Sequence, residues 1–299
     1  MPGSHRDLAS IRQAGKEALW VGAYDSALAL YEEGLAISRS SGDRDLEDVF
    51  FCNRAAALLE LNRFDFDFAE LKRIVLRNPG SLASYLASAN AALVYQLRGD
   101  LSRATFYGRL AYVKSRELGS EEWVSASLNL LGGVKLAESR FERARELFTQ
   151  ALERLEANGL ARTWHAGTLS GNIGYCHIAS DRIDVGIPLV LNAISTFEDL
   201  GADQATDCPC LDLCLGELKR GHLDDAERWG ARALHLGTRF ERHEVIKSSL
   251  YLLAETSTRM GDGASADRYY DRLAAYYPDL PSLRAWLKKY DLLDLLNLP

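Results

Sequence analysis

Hydrophobic and polar positions follow a helical period through the middle of the chain, from Ala126 to Gly159. Apolar or small side chains recur there at intervals of three and four residues, which is the spacing of one face of an α-helix. A polar stretch, Ala137 to Arg140, interrupts the pattern. The segment therefore predicts two amphipathic helices joined by a tight turn. The positions that carry this prediction are Leu128, Leu131 and Gly132 in the first helix and Phe141, Ala144, Leu147, Phe148, Ala151 and Leu152 in the second.

The same pattern recurs along the chain when Ser139 is taken as the turn position. Equivalent turns fall 37 to 42 residues apart, and a small side chain stands seven residues before each of them. A large side chain at that place would hold the paired helices apart. The pattern predicts an internal repeat with turns at Gly22, Asn62, Gly99, Ser139, Asp181, Gly221 and Gly261 and small residues at Gly15, Ala55, Ala92, Gly132, Gly174, Cys214 and Ala254.

Two further positions keep their character from repeat to repeat. Five residues after the turn the side chain is small, except for Asp67 in the second repeat, and twelve after it the side chain is small or apolar. In the fifth repeat Pro188 falls one turn inside the second helix, where a proline predicts a local bend. The two sets are Ala27, Ala104, Ala144, Gly186, Ala226 and Ala266, and Gly34, Ile74, Ala111, Ala151, Ala193, Ala233 and Leu273.

These features resemble the tetratricopeptide repeat family over about residues 8–279. The best matches are Gly15, Gly22, Tyr24, Ala27 and Tyr31 in the first repeat and Asn53, Arg54, Phe64 and Pro79 in the second. The family's repeat has about 34 residues, so the longer spacing here is similar to that of bacterial regulatory and sensor members. The resemblance implies an all-α, right-handed solenoid whose first helices line a concave groove that binds peptides or partner proteins.

The domain prediction follows from this repeat pattern. Each repeat of a solenoid packs on its neighbours, so the chain is expected to form one domain over residues 1–299 despite its length. The seven predicted helix-turn-helix repeats span residues 8–42, 46–80, 83–119, 122–159, 162–201, 206–239 and 243–279, and a C-terminal capping helix spans 281–298.

Composition narrows the classes of partner. The net charge of −7 and the isoelectric point near 5.5 argue against nonspecific nucleic-acid binding, which needs a basic face. No apolar run approaches the roughly 18 residues of a membrane helix. The first 20 residues lack the apolar region of a signal peptide. We therefore expect a cytoplasmic protein with protein or peptide partners and neither nucleic-acid nor membrane binding.

The segment beginning at Asn53 and Arg54 resembles one that the family uses to bind a peptide carboxylate. Such a site combines cations from the preceding and following repeats, because charged donors neutralise a terminal carboxylate. By offset, the first repeat supplies Arg12 and Lys16, but the third supplies Leu86 and Asn90. Since the second cationic pair is missing, we predict no complete carboxylate site and keep Arg12 and Lys16 as peptide-binding candidates.

Four consecutive first helices carry an asparagine nine or ten residues before the turn. An amide offers both a donor and an acceptor, so it can pair with the backbone of an extended peptide whatever its side chains. The alternative is that these amides cap or bridge neighbouring helices, and the sequence favours neither role. The candidates are Asn53, Asn90, Asn129 and Asn172.

Candidate chemistry elsewhere has simpler interpretations. Cys210 and Cys214 share a helix face, but no second ligand pair completes a metal site, and Cys208 adds only one more thiol. Acidic pairs such as Glu121 and Glu122 stand at predicted helix starts, where they stabilise the helix dipole. Scattered histidines such as His165 lack an ordering carboxylate or a nucleophile in sequence. We predict no enzyme activity, no metal and no cofactor.

Two functions remain. The first is a non-catalytic module that binds a peptide or partner segment in the concave groove, as an adaptor or a signal sensor. The second is a structural subunit whose groove is filled by a fixed partner or by its own tail. In the predicted cap, Leu292, Leu295 and Leu298 lie off the packing stripe, and such apolar residues favour a homodimer contact.

The predicted cap can be tested by deleting Pro281 to Pro299. Each large apolar side chain that loses its burial costs about 1.5–3 kcal/mol, so the total rivals the stability of a whole domain. We expect a lower melting temperature and self-association through Tyr251, Leu252, Tyr269 and Tyr270, measured by thermal unfolding and light scattering. A monomeric truncated protein with an unchanged melting temperature would show that the segment is not a cap. The stripe removed is Leu283, Trp286, Leu287, Tyr290, Leu293 and Leu296.

Overall fold

The computed structural model describes residues 7–278 and Leu287. Over these residues the chain is helical, with fourteen α-helices, one 3₁₀ helix and no strands. Consecutive helices pack as pairs, so the all-α class of TPR-like helical repeats is confirmed. The pairs are α1 (Leu8–Trp20) with α2 (Tyr24–Ser41), α3 (Arg44–Glu60) with α4 (Phe68–Arg77), α5 (Leu82–Leu97) with α6 (Leu101–Glu117), α7 (Glu121–Ala137) with α8 (Phe141–Ala157), α9 (Trp164–Ala179) with α10 (Ile183–Asp199), α11 (Asp207–Arg220) with α12 (Leu223–Arg239), and α13 (His243–Met260) with α14 (Gly263–Ala274).

Helix starts follow local capping rules. Several helices are preceded by an Asp or Ser whose side chain accepts a hydrogen bond from a backbone N–H of the first turn, and this satisfies a donor that has no intrahelical acceptor. The 3₁₀ helix, Asp203–Thr206, leads directly into α11. The capping residues are Asp7, Asp43, Asp67, Ser81, Asp100, Ser120 and Asp262.

All seven predicted turn positions have a left-handed backbone conformation, with φ between 54° and 81°. Four of them are glycines, which adopt this conformation without steric cost. The other three are Asn62, Ser139 and Asp181, and polar residues of this size tolerate it better than branched ones. The turn positions read from the sequence are therefore confirmed.

The small residue before each turn is buried in every pair, as the pattern predicts. A Cβ atom added to Gly15 would lie 2.4 Å from the Tyr31 ring, and one added to Gly132 would lie 2.3 Å from the Phe148 ring. The aromatic ring lies on the second helix of the same pair, sixteen residues further on. The glycine thus lets an aromatic side chain reach the backbone of the first helix, which brings the two helices close together.

The second pair departs from the pattern at its turn. Helix α4 begins at Phe68, several residues later than the turn at Asn62 would place it, and Asp67 is its N-cap. The Asp67 carboxylate accepts from the Ala69 N–H at 2.8 Å, while Phe64 lies in the longer connection and is 45% exposed. Asp67, the exception in the small-residue pattern, is therefore the N-cap of a shortened helix.

Pro188 lies inside helix α10, and the helix runs on through it from Ile183 to Asp199. The close approach in this pair is between backbones, because a Cβ atom on Gly186 would lie 2.6 Å from the Gly174 carbonyl oxygen.

The described chain divides into two compact units, Met1–His165 and Ala166–Pro299. The core of the second unit includes Leu287, the described residue of the predicted cap, which is helical and 4% exposed. The remainder of the predicted cap lies outside the described residues. The single-domain organisation stays a prediction. None of the described helices is both long and apolar enough to cross a membrane.

The close approach in the fourth pair can be tested with adjacent glycines of α7. Gly132→Ala places its methyl group against the Phe148 ring, whereas the nearest atom to a Cβ on Gly133 is Gln96 Nε2 at 3.5 Å. We expect Gly132→Ala to lower the free energy of unfolding by about 1–3 kcal/mol because of overpacking. Gly133→Ala should raise it by up to about 1 kcal/mol through helix propensity. Urea titrations measure both, and equal effects would rule out the proposed contact.

Candidate functional site

The first helices of successive pairs form one layer in the first unit. Side chains of α1 and α3 share an apolar cluster that contains Ile11 and Phe50, and α5 packs on both α3 and α7. We call this layer of α1, α3, α5 and α7 the inner layer. Of the second helices, α2 and α6 pack on their own partner and on the next first helix, α4 packs on α5, and α8 packs on α7. Binding candidates on the inner layer are therefore held by helices on a rigid scaffold.

The predicted binding residues lie on several first helices and have different exposures. Those of the first unit are Arg12 and Lys16 on α1, Asn53 on α3, Asn90 on α5 and Asn129 on α7, whereas Asn172 lies on α9 in the second unit. Asn90 is 8% exposed, and the other five are half-buried. Half-buried side chains combine a fixed position with an accessible surface, which is what a binding residue needs.

Asn90 bridges two helices. Its Nδ2 donates a hydrogen bond of 2.7 Å to the carbonyl oxygen of Cys52 on α3, directly before Asn53. A buried amide that donates to a backbone carbonyl fixes the distance between the helices that carry them. Of the two roles that the sequence left open, the Nδ2 group of Asn90 therefore has the bridging one.

Arg54, next to Asn53, is held by acceptors from its own neighbourhood. Its Nε donates to the Glu32 carboxylate at 2.9 Å, and its Nη1 donates to the Asp65 carbonyl oxygen at 3.5 Å. Glu32 lies on α2, and Asp65 lies in the connection before α4. These bonds orient the guanidinium along the edge of the second pair.

Lys16 makes a contact that crosses the inner layer from α1 to α7. Its Nζ lies 2.7 Å from the Glu122 carboxylate, 106 residues along the chain. The same ammonium lies over the Trp20 ring, 4.5 Å from the ring centroid. A cation over an aromatic face and beside a carboxylate gains electrostatic attraction from both. Lys16 is therefore neutralised within the first unit, and a bound carboxylate would have to compete with Glu122.

His165 completes this cluster. Its Nδ1 lies 3.7 Å from Glu122, and its ring makes edge-to-face contacts with Trp20 and Trp164 at centroid distances of 6.1 and 5.6 Å. Burial lowers the pKa of His165; Glu122 opposes this shift, and the positive charge of Lys16 adds to it. The net lowering favours a neutral imidazole at neutral pH, which leaves Lys16 and Glu122 as the charged pair of the cluster.

A second aromatic contact lies beside Glu122. Tyr85 on α5 stacks on Trp123 on α7, with ring centroids 5.5 Å apart and an interplanar angle of 25°. The Tyr85 hydroxyl donates to the Trp123 carbonyl oxygen at 3.4 Å, and burial raises the pKa of Tyr85. Tyr85 is therefore a neutral donor that fixes the start of α7, where Glu122 is located.

The second unit holds the cysteine cluster at the start of α11. Cys210 and Cys214 lie in the apolar core, and burial raises the pKa of both thiols to about 12. Thiols with such pKa values are protonated at neutral pH, whereas the thiolate is the metal ligand and the nucleophile. Cys208 is the exposed member of the three. The geometry therefore fits packing better than metal binding.

Asp207 begins α11 in a buried position. One carboxylate oxygen accepts from the Cys208 N–H at 2.6 Å, and the other lies 3.7 Å from Arg242 before α13. Burial raises the pKa of Asp207, and the Arg242 charge opposes that shift. This pair joins the starts of two successive first helices in the second unit.

One group of described residues has the composition of a cation site. Glu217, His222 and Asp225 place a ligand atom each within 4.8 Å of one another at the α11–α12 turn. His222 Nδ1 already lies 2.9 Å from Glu217, and Asp225 pairs with Arg228. Glu217 and His222 are therefore already partners of each other, and Asp225 is already paired with Arg228.

Sequence reasoning missed Trp20 and Glu122 as parts of a site and gave His165 little weight. Glu122 does lie in the first turn of α7, as its predicted dipole role requires. Its pairing with Lys16 depends on how α1 and α7 approach across the inner layer, and no local pattern encodes this. A tryptophan four residues after Lys16 was the available signal, since such a pair shares one helix face.

Comparisons with known proteins give the fold. A scan against models of protein families finds no match, and a search of curated proteins also finds none. Among solved structures, a Rap protein complexed with Competence and Sporulation Factor is similar over 93% of this chain and 76% of its own, with a TM-score of 0.71 and 14% identity. BtubC from P. vanneervenii is similar over 75% of this chain and 89% of its own, with a TM-score of 0.57 and 20% identity.

A third structure extends the comparison. A signal-transduction ATPase with a tetratricopeptide repeat sensor, from Pyrococcus horikoshii, covers 96% of this chain with a TM-score of 0.61 and 13% identity. This chain spans 44% of that protein. At these identities the likeness concerns the fold, and it confirms the tetratricopeptide-like architecture inferred from the repeat.

The bridging role of Asn90 can be tested against its neighbour in the series. Asn90→Ala removes a buried donor to the Cys52 carbonyl oxygen, whereas Asn53 is half-buried. We expect Asn90→Ala to lower the free energy of unfolding by about 1 kcal/mol or more, and Asn53→Ala to change it by less than about 0.5 kcal/mol. Denaturant unfolding measures both values. Equal stability of Asn90→Ala and the unmodified protein would contradict the bridge.

Proposed function

We propose that the protein is a non-catalytic module that binds a peptide or an extended segment of a partner protein along the inner layer. The observation that carries this proposal is the kind of side chain that the inner layer presents. Although α3 and α5 pack between neighbours, the layer keeps amide, aromatic and charged side chains that are only half-buried. Examples from three of its helices are Trp20, Asn53 and Asn129.

Such a surface suits an extended segment. Half-buried amides pair with peptide N–H and C=O groups, aromatic faces supply apolar area, and helices hold both at fixed positions. A pre-formed site loses less conformational entropy on binding than a mobile one does. The inner layer therefore favours binding with little rearrangement.

Two of the similar solved structures support this choice. One is the Rap protein complexed with Competence and Sporulation Factor, and another is a Rap conjugation gene regulator in complex with the Phr* peptide, with a TM-score of 0.58 and 14% identity. By analogy, we propose an adaptor or a signal sensor. The acidic net charge of −7 favours neutral or basic partners.

The second candidate is a structural subunit whose inner layer is covered permanently by one partner or by its own tail. Leu287, which lies in the core of the second unit, shows that part of the C-terminal region packs against the repeats. Affinity purification from the source organism separates the candidates. Exchangeable, substoichiometric partners support the module, and one stoichiometric subunit supports the alternative.

A peptide selected from a displayed random library tests the proposed binding surface. We expect Asn53→Ala combined with Asn129→Ala to weaken its binding by at least about 1 kcal/mol, the net contribution of a typical hydrogen bond. The control is Asn158→Ala, because Asn158 is exposed at the end of α8 and its side chain bonds to Arg154 of the same helix. Calorimetry measures the three affinities. Equal losses in the test and control variants would contradict the proposal.

A further inference from the structure

The position of the Lys16 ammonium has the features of a binding site for a cation. A carboxylate lies 2.7 Å away, an aromatic ring lies beneath it at 4.5 Å, and His165 lies beside the carboxylate. Aromatic faces attract ligand cations, and a carboxylate adds a charge-assisted hydrogen bond to an ammonium group. In this structure the cation comes from the protein itself.

We propose that Trp20, Glu122 and His165 form a binding site for a primary ammonium group of a partner peptide, and that Lys16 occupies this site in the free protein. The group is either a lysine side chain or a peptide N-terminus, which share this chemistry. The inference rests on the proposed function and names the chemistry of its ligand.

The packing of the first unit explains why Lys16 can leave. Helix α1 packs on α2, and α7 packs on α5, α6 and α8, so the helices at the two ends of the Lys16–Glu122 contact are held by other neighbours. Repeats of this kind draw their stability from adjacent repeats. The side chains of Lys16 and Glu122 keep 37% and 31% of their exposure, and exposed ion pairs add little to stability.

The partial exposure of the ion pair also explains how a ligand would gain binding free energy. A peptide that lies along the inner layer excludes water from Glu122 and Trp20, and ion pairing and cation–π attraction both strengthen when water is removed. In the free protein Lys16 lacks this advantage, because its own side chain does not exclude water from the site. Burial lowers the pKa of His165, which favours a neutral imidazole. The imidazole therefore adds no competing positive charge beside Glu122.

Three tripeptide amides probe the site. The first is acetyl-Gly-Lys-Gly-amide, the second carries acetyl-lysine and has no charge, and the third is Gly-Gly-Gly-amide with a free N-terminus. Binding is followed by the indole N–H resonances of the five tryptophans, assigned with Trp20→Phe and Trp164→Phe. The two charged probes distinguish a lysine side chain from an N-terminal amine as the preferred source.

The variants separate competition from structure. Lys16→Met removes the internal cation and should bind the preferred charged probe at least fivefold more tightly than the unmodified protein. Glu122→Gln should weaken binding at least tenfold. The matched control is Glu121→Gln, because Glu121 shares the first turn of α7 but pairs with Arg154; it should leave binding unchanged. Lys16→Arg keeps an internal cation and should bind like the unmodified protein.

Several results would overturn the proposal. Lys16→Met that binds no more tightly would show that Lys16 does not compete, provided that thermal unfolding confirms its fold. Equal binding by the acetyl-lysine probe, or equal losses in Glu122→Gln and Glu121→Gln, would show that the site does not select a cation. If Lys16→Met fails to fold, Lys16 is a structural residue and the proposal fails.

The outcome for the proposed function is separate. If a library-selected peptide depends on Asn53 and Asn129 while the charged probes do not bind, peptide binding stands and the ammonium site fails. If neither the selected peptide nor the probes bind, both proposals fail.

Discussion

The structure depends on the close approach of two helices at one small residue in each pair. At Gly15 and Gly132 the space of a missing side chain is taken by an aromatic ring from the second helix, and at Gly174 it is taken by Val190 and by backbone. Because a ring or a backbone cannot yield as a flexible side chain does, the small residue fixes the distance within the pair. The distance within each pair then sets how its first helix meets the next, and so where the inner layer places its polar side chains.

Much of this architecture was predictable because it is local. The turn needs a left-handed residue and the pair needs a small one, and both requirements recur at constant spacing, so Asn62, Ser139 and Asp181 could be assigned although none is a glycine. The start of α4 was missed because Asp67 interrupts the small-residue pattern, and its capping role becomes clear only from its bond to Ala69. A helix N-cap and a small packing residue cannot both occupy this position, and Asp67 serves as the N-cap.

The site was less predictable than the fold because it combines residues from distant helices. Asparagines at nearly equivalent positions have different surroundings: Asn90 is buried and tied to the Cys52 carbonyl oxygen, while Asn53 on the preceding first helix is half-buried. From the sequence alone, both asparagines had the same two alternative roles. Likewise, Lys16 was kept as a peptide-binding candidate, and its ammonium pairs with the Glu122 carboxylate of the same unit. Which partner a charged side chain finds depends on the approach of α1 to α7, which accumulates over the intervening helices.

The Lys16–Glu122 contact also changes how the first unit responds to a ligand. In a chain of repeats that touch only their neighbours, a local event in one repeat reaches another through every interface between them. A side-chain contact between α1 and α7 adds a direct connection, and the proposed ligand, by pairing with Glu122, would remove that connection in the same step. By thermodynamic linkage, whatever stabilises the internal contact weakens that ligand by the same free energy. The Lys16–Glu122 ion pair therefore contributes little to stability. Its position nevertheless lets a small change in free energy alter the contacts of the inner layer.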